Sequence, residues 1–595
     1  MSHLNLGVIG NCAIAAMIDP QARLVWCCLP RFDGDPVFHA LVDTDHGEAA
    51  RGFWSIELDG YTHSEQRYVP NTAMLVTRLF AADGSAVEVR DFCPRFLMHG
   101  RSFRPQMIVR SILPLAGSPR IRVRIRPSFD YGQTAPTITR GSNHLRYVGP
   151  ERTLRLTTDA PASYILSETP FLIERRTNLI LGPDETLLEA VDHVARRFDE
   201  ETESWWRDWT RRLALPLEWQ DAVIRAAITL KLCTFEETGA IVAALTTSIP
   251  EAAATSRNWD YRYCWLRDAL FVVRALNSMA EVETMELYLG YIANVVSDSA
   301  DGHLQPVYGI ALEKQLLERE LTSLAGYRGQ GPVRIGNQAH EHFQHDVYGN
   351  VILAAAQSFF DHRLLRPSSA VEFERLQRLG LQAHKVYATP DAGMWELRTR
   401  ARVHTSSALM CWGACDRLAR IARHLGREQE AADWLARSTE IRNAIECRAW
   451  NPRLGSFVDC FEGEDVEAGL LLMAEIGFLP ARDPRFAGTV AQIERRLRRG
   501  THLFRYAAAD DFGEPTTAFN ICTFWYIDAL ARLGRQQEAR ELFEGMLACR
   551  NPLGLLSEDV DPRNNELWGN FPQTYSMVGI INAAMRLSGR WEDVV

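Results

Sequence analysis

Near the C-terminus, the stretch NPLGLLSEDVDPRNNELWGN (551–570) sets two adjacent acids, Glu558 and Asp559, after a short apolar run in a segment rich in Asn, Pro and Gly. Alone, an acid there is loop decoration; paired with a carboxylate from a distant loop, it can divide general acid and base work. Glu396 is an acid in such a distant loop. It follows Met394 and Trp395 in DAGMWELRTRARVHTSSALM (391–410), directly ahead of a helical pattern. A third segment, SRNWDYRYCWLRDAL (256–270), carries Trp259, Asp260, Tyr261, Arg262, Tyr263, Trp265, Arg267 and Asp268 just before another helix.

Aromatic rings beside carboxylates suit a sugar. A pyranose has apolar faces that pack on flat rings, and hydroxyls that bond to acids, amides and guanidinium groups. That chemistry needs no metal and no phosphate. The same residues also fit a packed helix start with an internal ion pair, and spacing alone leaves both readings open.

Three other signals carry less chemistry. NQAHEHFQHDVYG (337–349) offers His340, Glu341, His342, His345 and Asp346, but its histidines fall at i, i+2 and i+5 rather than the i, i+4 spacing of a helical zinc site. It reads as the start of a helix bordering the sugar site. GYRGQGPVRIGN (326–337) lacks the GK[ST] ending of a phosphate loop and reads as a substrate loop. The basic run RRLRRGTHLFR (495–505) reads as a solvated helix end.

The elements that must position these loops change character along the chain. Up to about residue 185 the pattern is strands and turns. RIRVRIRP puts Ile121, Val123 and Ile125 on one face and Arg120, Arg122, Arg124 and Arg126 on the other, and Asp83-Gly84 marks a hairpin turn. This predicts an antiparallel β-sandwich over 1–185. A charged helical stretch at 186–215 reads as a linker helix, and from 216 to 595 helical stripes recur about twelve times, among them Trp219, Val223, Ala226 and Leu230. Paired helices with long unequal loops predict a closed helical toroid.

The 595 residues are 46% hydrophobic and 24% charged, with no apolar run long enough to span a bilayer and a net charge of −10. An acidic chain lacks the basic face of a general nucleic-acid binder. Twelve cysteines without repeated CxxC spacing read as reduced, mostly buried thiols, and the N-terminus lacks a secretory pattern, so the expected compartment is the cytoplasm.

NWDYRYCWLRDA, GYRGQGPVRIGNQAHEHFQHDVYGN, GMWELR and GLLSEDVDP…GNFPQTYS occur in this order, alongside GAIVAALTTSIPE and the N-terminal LGVIGNCAIAAMIDPQARLVWCCLPRFDGDPVF. Together they resemble the motif set of glycoside hydrolase family 15, the glucoamylase and trehalase-like glucohydrolases. The resemblance implies an N-terminal β-sandwich, a linker helix and a C-terminal (α/α)6 barrel. It implies an inverting exo-acting α-glucoside hydrolase that releases β-glucose without a cofactor, with Glu396 as general acid and Glu558 as general base. Arg267 and Asp268 match the pair that holds the terminal glucose, Tyr261 an aromatic of the same subsite, and Trp265 and Trp395 its walls. The default substrate is an α-1,4-glucan or oligosaccharide; a trehalase or an isomaltooligosaccharide glucohydrolase is the alternative. A disaccharide phosphorylase would dispense with the base, and a glucan-binding protein with both acids.

The apolar flank of Glu396 is expected to keep it protonated, and the polar loop of Glu558 to keep it ionised. Ser406, Ala408 and Asn350 depart from the family pattern and are expected to alter the leaving-group side of the site.

Overall fold

The computed structural model describes residues 3–43, 47, 49–299 and 302–593. Its N-terminal part consists of two antiparallel sheets, one of seven strands and one of eight, whose facing side chains form a common apolar core that includes Trp54, Ile56, Val87, Val89, Ile121 and Val123. The strand Arg120–Arg126 shows how alternation builds this layer. Its isoleucines and valine are buried, while on the other face Arg120, Arg124 and Arg126 pair with Asp59, Glu57 and Glu168. The hairpin Leu75–Ala81 to Ala86–Phe92 turns at Gly84, which sits at φ +84°, a conformation that an L side chain rarely adopts.

The last strand ends at Pro183, and a 21-residue helix, Val191–Arg211, lies against the eight-stranded sheet. Trp205, Trp206 and Trp209 pack edge to face along it, and the Arg95 guanidinium lies 3.9 Å over the Trp205 ring.

Beyond it, helices alternate between an inner and an outer ring. The inner helices are Leu266–Ser278, Asp346–Ala356, Thr405–His424, the short Leu472–Ile476 with the 3-10 turn before it, Asn520–Arg532 and Thr574–Leu587. Each packs on the next, and Thr574–Leu587 returns to Leu266–Ser278, which closes the ring. Outer helices such as Ala370–Val386 and Glu428–Arg448 connect successive inner ones. Every inner helix starts at the same end of the barrel, so six N-terminal dipoles and six preceding loops converge there.

Candidate active site

One cavity opens at that convergence, with an empty volume of about 910 Å³ including its mouth. All seven residues singled out from the sequence line it: Tyr261, Trp265, Arg267, Asp268, Trp395, Glu396 and Glu558. With the exception of Trp525, its lining residues come from the loops before the inner helices or from the helices' first turns.

Trp259 and Tyr261 face the cavity, while the alternate residues Asp260 and Arg262 point the other way and are fully buried. Arg262 grips Asp260 through Nε at 2.9 Å and Nη2 at 2.8 Å, and donates to the Gly34 carbonyl at 2.8 Å and to the Tyr131 hydroxyl at 3.3 Å. The cavity strand is thus fixed from behind by the sheet domain.

Tyr261 and Trp265 form an edge-to-face pair with centroids 5.4 Å apart, and each ring donates to a different carboxylate. The Tyr261 hydroxyl donates to Glu558 Oε1 at 2.7 Å, and Trp265 Nε1 donates to Glu396 Oε1 at 2.6 Å. One rigid aromatic clamp therefore sets the positions of both acids.

Glu396 sits in a loop closed by an Asp391–Arg402 bridge. Asp391 accepts from the His345 amide at 2.8 Å and the Ser407 hydroxyl at 2.7 Å, tying that loop to two inner helices. Glu396 has φ +59°, a left-handed conformation that costs a non-glycine residue on the order of 1 kcal/mol. Its surroundings are more polar than its sequence neighbours suggest, because Arg267 Nη2 also donates to Oε1 at 3.3 Å.

Glu558 lies in a buried turn, its amide donating to the Asn570 carbonyl. Gly569 crosses so close that a Cβ there would stand 2.6 Å from Glu558 Cβ. The expected polar, ionising environment is corrected here. Burial, together with Glu251 and Asp559, raises Glu558 well above the ordinary carboxylate range, against the Tyr261 hydrogen bond and Arg505. Among the described residues, Oε2 has no hydrogen-bond partner. Asp559 is equally buried and is raised to about 8, first by desolvation and then by Glu251.

Arg267 is not reserved for Asp268. It donates to Gln344 at 2.9 Å and lies 3.5 Å from Asp346, 3.3 Å from Glu396 and 3.8 Å from Asp268. The expectation that it keeps Asp268 charged is also corrected: burial outweighs it and raises Asp268 to about 7. Trp395 packs among Tyr506, Phe519 and Trp525, with its indole N–H on Glu467.

Several lining residues had no clear signal in the sequence. Glu251 accepts from Trp259 Nε1 at 2.8 Å and from Arg505, and Arg257 holds Asp510 through two hydrogen bonds. Arg505 ends the basic run read as a solvated helix end, yet it is largely enclosed and paired with Glu251, so that reading fails at this residue. In the glycine-rich loop, only Asn337 lines the cavity. The remainder buttresses the neighbouring strand, with the Gln330 and Pro332 carbonyls accepting from Asn258. Of the histidines, His342 lines the cavity, whereas His340 bonds to the Asn337 carbonyl and His345 precedes the helix Asp346–Ala356.

Ser406, Ala408 and Asn350 do not line the cavity. Asn350 donates to Asp346 at 2.9 Å, and Ser406 borders a small void beneath Arg267 and Met394. Asn350 and Ser406 act on the cavity through neighbours such as Arg267, Met394 and Glu467 and not by direct contact.

Comparison with known proteins settles the family. The model for glycosyl hydrolases family 15 matches residues 219–585 and that for a trehalase-like N-terminal domain matches 4–168. This chain belongs to glycosyl hydrolase family 15. It is a glycosidase, similar to a trehalase of Thermoplasma volcanium, 30% identical over 98% of this chain and 93% of that protein. It is likewise 31% identical to a trehalase of Mycobacterium tuberculosis over 96% of this chain and 87% of the relative. A bacterial glucoamylase complexed with acarbose superposes with a TM-score of 0.71 at 12% identity, covering 98% of this chain and 94% of that one. The two-domain architecture of this family 15 enzyme is therefore the glucoamylase fold.

Proposed function

We propose that this family 15 enzyme is a trehalase that hydrolyses its α-glucosidic bond with inversion, Glu396 serving as general acid and Glu558 as general base. The observation that carries the chemistry is the aromatic clamp, in which Tyr261 and Trp265 hold two carboxylates from distant loops in one cavity. Glu558, ionised, takes a proton from a water whose oxygen attacks the anomeric carbon. Glu396 gives its proton to the departing glycosidic oxygen, and the products are β-glucose and the leaving sugar. Such a pair works at a separation of roughly 6.5–9.5 Å, which leaves room for the water.

Asp268 and Arg267 take the hydroxyls of the reacting glucose in this scheme, and Trp395 packs on its ring. Helix N-termini directed at the cavity favour the negative charge that Glu558 needs and offset part of its burial penalty. The choice of trehalose over an α-1,4-glucan rests on the relatives, which are trehalases similar to this chain over nearly its whole length. Cysteines that are free among the described residues fit a cytoplasmic enzyme.

The test is incubation with trehalose, maltose, isomaltose and maltodextrin while NMR follows the released anomers. Trehalose turnover yielding equal initial α- and β-glucose is expected. Preference for maltodextrin would make the enzyme a glucoamylase, and release of α-glucose alone would overturn inversion. Glu396→Gln and Glu558→Gln each should lower kcat by at least about a hundredfold.

A further inference from the structure

A loop that takes no part in the chemistry above crosses the mouth of the cavity. It joins the strand His502–Leu503 to the strand Ala518–Phe519, and its tip sets Asp510, Asp511 and Phe512 against the cavity. That tip is pinned to two different loops. Arg257, two residues before Trp259, donates to Asp510 at 2.7 and 2.5 Å and to the Gly513 carbonyl at 2.8 Å. Asp511 accepts from the Arg398 amide at 2.6 Å and from the Thr399 hydroxyl, two and three residues beyond Glu396, and Arg400 donates to the Ala509 carbonyl at 2.7 Å. Hydrogen bonds to ionised groups are the strong ones, so the loop is a strap fixed to the segments that carry Tyr261 and Glu396.

Two observations show what the strap stands in the way of. Phe512, 37% exposed, is the most exposed aromatic ring lining the cavity; it meets Trp259 edge to face at 5.1 Å, and the Arg398 guanidinium lies 5.7 Å from its centre. On the other side of Tyr506–Asp510 lies a separate hollow of about 710 Å³ including its mouth, and Trp395, Leu397, Tyr506 and Asp510 line both spaces. The strap therefore divides one wide cleft into two short ones. A glucosyl unit held by Arg267 and Asp268 sits at the buried start of the helix Leu266–Ser278. Its leaving group departs on the side of Glu396, the side to which Asp511 and Phe512 are tied, so every ring beyond the leaving sugar has to pass the strap.

We propose that this strap, through Asp511 and Phe512, sets the length of substrate the enzyme accepts, closing the cavity against α-glucan chains longer than a disaccharide. The assignment rests on the glycosidase reading above, but its test does not depend on turnover. Acarbose, which spans four rings, and 1-deoxynojirimycin, which fills one, are titrated calorimetrically into the intact chain and into Phe512→Ala and Asp511→Ala. Removing the ring, or unpinning the strap, relieves a steric block and should tighten acarbose by about tenfold or more while leaving 1-deoxynojirimycin unchanged. Neither side chain is part of the buried core, so both variants keep the fold. Acarbose affinity unmoved or weakened in both variants, or an equal change for the two ligands, would overturn the proposal. Failure of the catalytic reading would show separately, as tighter acarbose binding in the variants without glucose release from any α-glucoside.

Discussion

Tyr261→Phe is the sharpest probe of the clamp. The phenol donates to Glu558 Oε1 at 2.7 Å, while Oε2 has no partner among the described residues and burial pushes the carboxyl upward. A hydrogen bond to a charged group contributes about 1.5–3 kcal/mol, and one pKa unit is about 1.4 kcal/mol, so its removal should raise the proposed base by about one to two units. A base must be ionised to act, so the acid limb of kcat/KM moves to higher pH by the same amount. On that limb activity falls by about ten- to a hundredfold, with much less change on the plateau. The assay is kcat/KM against pH, from about 4 to about 9, for wild type and variant. The wild-type limb itself should lie above the ordinary carboxylate range, because burial raises Glu558. A uniform loss with an unmoved limb, or a shift to lower pH, would refute the clamp's electrostatic role.

Other substitutions separate neighbouring roles. Burial raises Asp559 well above the ordinary carboxylate range and favours its neutral form, so isosteric Asp559→Asn should retain much more activity at neutral pH than Glu558→Gln. Glu396→Gln should recover much of its lost rate on α-glucosyl fluoride, whose leaving group needs no proton; equal losses on both substrates would count against Glu396 as the acid. Arg262→Met strands the fully buried Asp260 and should cost about 3–5 kcal/mol in urea unfolding, the scale of an unpaired buried charge. A stability change below about 1 kcal/mol would show that the pair is dispensable.

Periodicity made the architecture legible: two-residue alternation in the sheet region, 3.6-residue stripes in the barrel, and unequal loops between. The resemblance pointed to Glu396, Glu558 and the aromatic cluster, which the fold brings to one cavity, because their motifs are contiguous in sequence. What escaped depends on contacts across the chain. Arg505 looks like the tail of a surface basic run until Glu251, 254 residues away, is brought against it. Glu558 sits among polar neighbours in sequence, yet the turn that holds it is buried, which raises its proton affinity where the sequence suggested the opposite. For Asp268 the adjacent arginine was the visible feature, but that arginine is shared among other acids, and desolvation prevails. Local sequence reports a side chain's neighbours along the chain, whereas its proton affinity is set by neighbours in space.

The alternation of residues 259–262 bears on how such an enzyme can evolve or be redesigned. Trp259 and Tyr261 line the cavity while Arg262, next in the chain, reaches the sheet domain, so Tyr261 cannot be repositioned without disturbing the Arg262 contact with Gly34 and Tyr131. The barrel is therefore not a portable module. Expressed alone, it would present Arg262 with half of its contacts missing and leave the substrate strand without its backing. Grafting a different sheet domain would require matching carbonyl and hydroxyl acceptors at that seam. Variation in specificity is accordingly easier to accommodate on the loop carrying Glu396, which is braced from within the barrel by Asp391.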